Sequence, residues 1–423
     1  MSDTDKQRNL ITECTELLKT NHNIILTGAP GTGKTYLAKQ IAAKMIGKEY
    51  KGEDTDNDPD FKKYVRLVQF HPSYDYTDFV EGLRPIYEDG HIGFERKDGI
   101  FKAFCELAIN NKKEIEKLIE KVIEEEIEEG TKAIFEIISK IQTFSFKHNS
   151  VCKESTNTAT IDNCNTTAIT ITANFGQNVG DIKFDYSTKN IVNFIKTKAK
   201  VQDINKILLD DRQINNVPSV CVASVYKGIC DLIINFNPIP EHVFIIDEIN
   251  RGEISKIFGE LFFSIDPGYR GIKGRVDTQY QNLITDDTDC FINGFYVPEN
   301  VYIIGTMNDI DRSVESMDFA FRRRFAFKEI KAEDTMYILG DDKNAKARMA
   351  KLNEAISHIE GLSDAYHIGA SYFLKLKEYD NDFEKLWNHH IKGLVEEYLR
   401  GREGNKIEDL KRAYDEEDNQ TER

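Results

Sequence analysis

The sequence predicts an α/β protein with a parallel-sheet core, a small α+β module inserted into that core, and a helical lid at the carboxyl end. Three observations predict it. Residues 23–42, "NIILTGAPGTGKTYLAKQIA", read as strand, glycine-rich loop and helix. Two later apolar runs, Val243–Ile246 and Val301–Thr306, are short and continuous, as strands buried on both faces are, and polar residues follow closely, Asp247 and Glu248 after the first and Asn308 after the second. Between the first run and these two, the composition shifts to Thr, Ile, Asn and Gly, the texture of a separate β-rich piece.

Taken in order, Leu10–Lys19 has the spacing of a short helix, and Asn23–Thr27 is the first strand. The loop Gly28, Ala29, Pro30, Gly31, Thr32, Gly33, Lys34, Thr35 fits G-x-x-x-x-G-K-[ST], and Tyr36–Ala43 continues at helical spacing. Glycines let the backbone turn its N–H groups inward around a phosphate, and the helix amino terminus adds partial positive charge. Lys34 can then reach the terminal phosphates, and the Thr35 hydroxyl can ligate Mg²⁺. The strand Val243–Ile246 ends in two carboxylates, Asp247 and Glu248. In open α/β sheets ligands bind at the carboxyl edge, so Asp247 can hold the metal and Glu248 can orient or deprotonate an attacking water. The strand Val301–Thr306 ends at the same edge with Met307 and Asn308, whose amide can bond to that water or to a phosphate oxygen. Downstream, Arg322, Arg323 and Arg324 stand in a row between Phe321 and Phe325, a cationic turn pinned by aromatic side chains in a chain of net charge −16.

The middle of the chain is less specific. Gly99–Asn110 reads as a helix, and a separate amphipathic helix is expected after it, with Ile115, Leu118, Ile119, Val122, Ile123 and Ile127 on one face. Two or three strands are expected between Phe144 and Phe184. A helix carrying Lys189, Lys196, Lys198 and Lys200 should follow them. Between Thr131 and Pro238 there are 12 basic and 9 acidic residues, so this part is mildly basic in an acidic chain, which leaves DNA contact open without requiring it. After Lys331 the sequence reads as a helical lid with a polar, frayed tail. The expected division is 1–110 and 239–330 for the two parts of the core, 111–238 for the module and 331–423 for the lid.

Composition narrows the class. The seven cysteines and nine histidines make no metal-spaced set and suggest reduced thiols, while the adjacent His389 and His390 should point apart on a helix. A pI near 5.2 argues against binding nucleic acid by bulk charge. No run approaches the ~20 apolar residues of a membrane span, and the amino terminus lacks the order of a signal peptide, so a cytoplasmic protein with no membrane partner is expected.

The ordered series of glycine loop, Asp-Glu strand, strand-Asn and arginine cluster resembles the AAA+ motors, in which these are Walker A, Walker B, sensor 1 and an arginine finger. More narrowly, "FHPSYDYTDFVEGLRP" (Phe70–Pro85), "IDEINRGEISKIFGEL", "GTMNDIDRS" and "FRRRFAF" resemble the McrB family, GTPase motor subunits of modified-cytosine restriction systems. Where that family shows Met-Asn-Thr-Ala-Asp-Arg-Ser, the chain keeps Met307, Asn308, Asp311, Arg312 and Ser313 and substitutes Asp309 and Ile310. "SDAYHIGASYFLKL" is similar to the family's Ile-Gly-His-Ser-Tyr-Phe segment, with Ala370 in place of the histidine. The resemblance covers about residues 20–110 and 240–375. It implies a homo-oligomer, a hexamer by the family's habit, with Mg²⁺ on Thr35 and Asp247 and with GTP, or else ATP, as substrate. Glu248 and Asn308 would be catalytic, and one of Arg322, Arg323 and Arg324 would act on the neighbouring subunit's nucleotide. It also implies a role in DNA restriction and phage defence, with a separate McrC-like nuclease as partner and DNA reached directly or through partners. No nuclease constellation is evident in this chain. Two other readings use the same residues: a MoxR-like ATPase that remodels proteins, against which Phe70–Pro85 speaks, and a nucleotide-gated scaffold.

Overall fold

The computed structural model describes residues 3–88, 91–124, 130–134, 143–147, 156–164, 168–174, 181–188, 191–192, 241–310, 319–401 and 406–416. The chain divides into two compact units, Met1–Glu106 with Glu241–Arg423, and Leu107–Pro240. Helix α1 (Asp3–Asn21) extends past both expected ends, since neither flank carries Gly or Pro to stop it. It leads into β1 (Asn23–Thr27), the glycine loop and helix α2 (Lys34–Met45). Strand β2 (Val65–Gln69) follows, then an antiparallel hairpin of β3 (Glu81–Glu88) and β4 (His91–Asp98). Helix α3 runs unbroken over Ile100–Glu124, where two helices were expected: Asn110 and Asn111 are poor helix formers but neither stops a helix that buries Ile115 and Leu118.

In the second unit, β5 (Thr143–Lys147), β6 (Thr156–Cys164), β7 (Ala168–Asn174) and β8 (Asp181–Ser187) form an antiparallel sheet in chain order. This is one strand more than the upper expectation, because "TFSFK" and "DIKFDYS" alternate as well as the Thr-rich run between them. The expected helix with Lys189, Lys196, Lys198 and Lys200, and the residue Ile127, lie outside the described residues.

The larger unit resumes with β9 (His242–Asp247), β10 (Val301–Thr306) and β11 (Ala326–Glu329). Its five described strands are all parallel in the order β11-β1-β10-β9-β2. Parallel pairing in this order puts the carboxyl ends of β1, β9 and β10 side by side, which is what assembles the site. The central strands are buried on both faces: Ile24, Ile25, Leu26, Phe244, Ile245, Ile303 and Ile304 are inaccessible to solvent. The Phe70–Pro85 segment is largely scaffold. Phe79 stacks on Phe101 at 4.8 Å and meets Phe244 edge-on at 5.8 Å, and Asp75 caps the following turn by accepting from the Thr77 amide.

The lid is built from α4 (Lys343–Ser357), short helical pieces over 364–398 and α5 (Lys406–Asp415). Leu352, Ile356, Trp387, Ile391 and Tyr414 form its core. The residues Trp387–Ile391 make a π-helical turn, and the wider turn brings both His389 and His390 against Tyr379, with ring centroids at 5.7 and 5.5 Å. The two histidines therefore do not point apart as α-helical spacing predicts. Among the described residues no helix is long and apolar enough to cross a membrane.

Candidate functional site

The glycine loop owes its shape to close approaches. Gly28 has φ +144°, and a Cβ there would lie 2.2 Å from the Ile330 carbonyl oxygen at the end of β11. Gly31 has φ +76° and sits under the Tyr372 ring. Helix α2 starts at Lys34, so its first amides open onto the loop.

Lys34 is buried and folded back onto its own loop. Its ammonium donates to the Ala29 carbonyl at 2.8 Å, the Gly28 carbonyl at 3.1 Å and the Asn308 Oδ1 at 2.9 Å. Burial pulls its pKa down to about 8, against the opposing attraction of Asp309, Glu248 and Asp247. An anion bound here would restore the charged form.

At the ends of β9 and β10 the polar groups interlock. The Thr35 and Thr306 hydroxyls both donate to Asp247 Oδ1, each at 2.6 Å. Asn308 Nδ2 donates to Glu248 Oε1 at 2.8 Å, and Arg251 Nε pairs with Glu248 Oε2 at 3.2 Å. Asn308 is thus a bridge, one end of its amide on Lys34 and the other on Glu248. Glu248 adopts the left-handed conformation, φ 51° and ψ 46°, which a non-glycine residue holds only where its surroundings impose it. A cavity of about 610 Å³ opens beside this cluster, lined by Pro30, Arg251, Asn308, Tyr366, Tyr372 and Tyr398. That volume lies within the range of small-molecule sites.

Of the groups singled out from the sequence, the structure brings together Gly28–Thr35, Asp247, Glu248 and Asn308. The three arginines do not join this hydrogen-bonded cluster, although the Arg322 charge acts on Asp309 beside Lys34. Asn23, at the amino end of β1, donates to the Arg324 carbonyl at 2.9 Å, so Arg324 sits at the sheet edge opposite the glycine loop. Arg324 is buried, with its guanidinium over Phe262 at 5.6 Å and 3.8 Å from Asp266. Arg322 and Arg323 are exposed, Arg322 lying over Phe327 at 4.9 Å. Phe321 and Phe325 stack at 4.4 Å and are buried, anchoring the turn. Asp311, Arg312 and Ser313 lie outside the described residues. Thr306 and Arg251 carry contacts that sequence reading left unassigned. Arg251 stands three residues after Glu248, a spacing at which helical side chains meet.

Comparisons with known proteins bear on the fold and its class. Residues 195–325 match the AAA domain (dynein-related subfamily), residues 344–407 the McrB alpha-helical lid domain, and residues 7–69 Novel STAND NTPase 3. The parallel sheet, the glycine loop and the lid make the chain an AAA+ protein of the α/β P-loop NTPase class. Within that class it is McrB-like. It is 27% identical over 394 residues to the "Type IV methyl-directed restriction enzyme EcoKMcrB subunit" of Escherichia coli (strain K12), an alignment covering 89% of this chain and 54% of that protein. It is also 28% identical over 124 residues to the "Type II restriction enzyme BsuMI component YdiS" of Bacillus subtilis (strain 168), covering 28% of this chain and 33% of that one. The chain thus spans about half the length of the first relative and a third of the second.

Proposed function

We propose that the protein is the nucleotide-hydrolysing motor of a restriction system, cleaving GTP, or else ATP, to drive a separate McrC-like endonuclease on DNA reached directly or through partners. The observation that carries this reading is the Asn308 bridge, which ties the phosphate-binding lysine to the water-orienting carboxylate in one amide. In this reading the loop amides and Lys34 hold the phosphates, Glu248 orients the attacking water, and Asn308 fixes Glu248 relative to the terminal phosphate. Thr35 and Asp247 offer a hydroxyl and a carboxylate already converging at 2.6 Å, a hard-oxygen pair that suits Mg²⁺. Held there, the ion would supply positive charge that offsets the charge of the phosphates.

The site is completed by a second copy in a ring, a hexamer by family resemblance. Arg322 and Arg323 are exposed, so a neighbouring subunit can reach them, and that exposure favours action in trans; the buried Arg324 holds the turn instead. An arginine acting in trans is worth ~10³ to 10⁵ in rate. The test is turnover of GTP and ATP by the wild-type chain and by Glu248→Gln, alone and with a McrC-like nuclease. Turnover that is lost in Glu248→Gln and rises with the partner is expected. Equal turnover by both forms would overturn the assignment of Glu248.

A further inference from the structure

The lid and the glycine loop are joined by contacts that the hydrolysis reading does not use. The Gly369 amide donates to the Pro30 carbonyl and the Ser371 amide to the Gly31 carbonyl, both at 3.0 Å. The approach is so close that a Cβ on Gly369 would lie 2.1 Å from the Gly31 carbonyl carbon and 2.3 Å from the Thr32 nitrogen. The Tyr372 ring covers Gly31 from the same side. Behind this segment stands Asn353 of α4, a buried side chain that donates to the Ile368 carbonyl at 3.0 Å and accepts from the Ile368 amide at 2.7 Å. One side-chain amide thus satisfies both polar groups of the residue before Gly369.

We propose that Ile368–Tyr372 is a latch that holds the glycine loop in its phosphate-binding shape and sets nucleotide affinity, with Asn353 as its positioning residue. In a trans peptide the C=O of one residue and the N–H of the next point in opposite directions. Fixing the Pro30 and Gly31 carbonyls towards the lid therefore turns the Gly31 and Thr32 amides to the opposite side, where a phosphate lies in a glycine loop of this type. The latch orients two phosphate donors without touching the nucleotide. By reciprocity, nucleotide that favours this loop shape tightens the latch by the same factor. The proposal rests on the nucleotide-binding reading given above.

Gly369→Ala separates the latch from the fold of the lid. Its backbone, φ −78° and ψ 162°, is one any residue adopts, so alanine strains only the approach to Gly31 and Thr32. Binding of fluorescent GTP and ATP analogues to the full chain is measured alongside thermal unfolding and amide exchange. Gly369→Ala and Asn353→Leu are expected to weaken binding about tenfold, a typical coupling between linked sites. Asn353→Asp, which keeps the acceptor for the Ile368 amide, should fall between these and wild type. Nucleotide should slow exchange of the Gly369 and Ser371 amides in wild type and not in Gly369→Ala. Leu410→Ala, which opens a cavity in the lid core but removes none of the Asn353, Gly369 or Ser371 hydrogen bonds, serves as control, with a lower Tm and unchanged affinity. Affinity within twofold of wild type for both Gly369→Ala and Asn353→Leu, or an equal loss in Leu410→Ala, overturns the latch alone. A wild-type chain that binds neither analogue overturns the nucleotide reading and the latch with it.

Discussion

Replacing Asn308 by aspartate tests the bridge at its centre. The aspartate keeps an oxygen for Lys34, whose ammonium stands 2.9 Å from the present Oδ1, so phosphate binding should survive. It removes the donor 2.8 Å from Glu248 Oε1 and sets a second negative charge against that carboxylate. Loss of a hydrogen bond to a charged group costs about 1.5 to 3 kcal/mol, and the added repulsion acts in the same direction. A total near 3 kcal/mol corresponds to about a hundredfold in rate. Asn308→Asp should therefore bind nucleotide within about fivefold of wild type and turn over about a hundredfold more slowly, measured by phosphate release with GTP and with ATP. Asn308→Ala should be slowed similarly and also bind more weakly, since Lys34 loses an acceptor too. If Asn308→Asp released phosphate within threefold of wild type, the amide would not act through Glu248, and its only role would be to seat Lys34.

Lys34→Ala should lose nucleotide binding outright, whereas Glu248→Gln should bind and stall; equilibrium binding read beside turnover distinguishes them. Arg323→Ala or Arg322→Ala should slow turnover by orders of magnitude at near-normal binding, and mixing that variant with Glu248→Gln should restore part of the activity if the arginine acts in trans. Co-assembled mixtures that stay inactive would rule that out. Arg324→Ala should instead lower the melting temperature, by a loss of about 2 kcal/mol from its cover of Phe262 and its contact with Asp266. Chelating divalent cations, or Asp247→Asn, should stop hydrolysis while the fold, followed by circular dichroism, persists.

What could be read in the sequence follows from how local each signal is. The glycine loop, the Asp247–Glu248 pair and Asn308 announce themselves because spacing, flanking apolar runs and chemistry coincide within 20 residues. The strands β2 and β11 are short and partly exposed, and Arg66, Gln69 and Lys328 interrupt any apolar run. The β3–β4 hairpin had a readable sign, the dipeptide Asp89–Gly90 between alternating runs, which favours a tight hairpin turn. Three consecutive arginines carry no periodicity, so only the folded structure shows that Arg324 turns inward while its neighbours face solvent. The latch was beyond reach for a different reason. Nothing near Pro30 or Asn353 hints that residues more than 300 positions apart share backbone hydrogen bonds.

The order of strands in the parallel sheet also dictates when the protein can fold during its own synthesis. Strand β1 is flanked by β10 and β11, whose residues leave the ribosome about 270 to 300 positions after it. At translation speeds of 5 to 20 residues per second the wait lasts roughly 14 to 60 s. Throughout that interval Ile24, Ile25 and Leu26 lack both of their described partner strands, and β2 waits likewise for β9. The inserted unit, whose sheet pairs each strand with the next in chain order, faces no such delay. A nascent chain of this design therefore completes the described sheet of its insertion before its core, and carries an open apolar strand for most of its time on the ribosome.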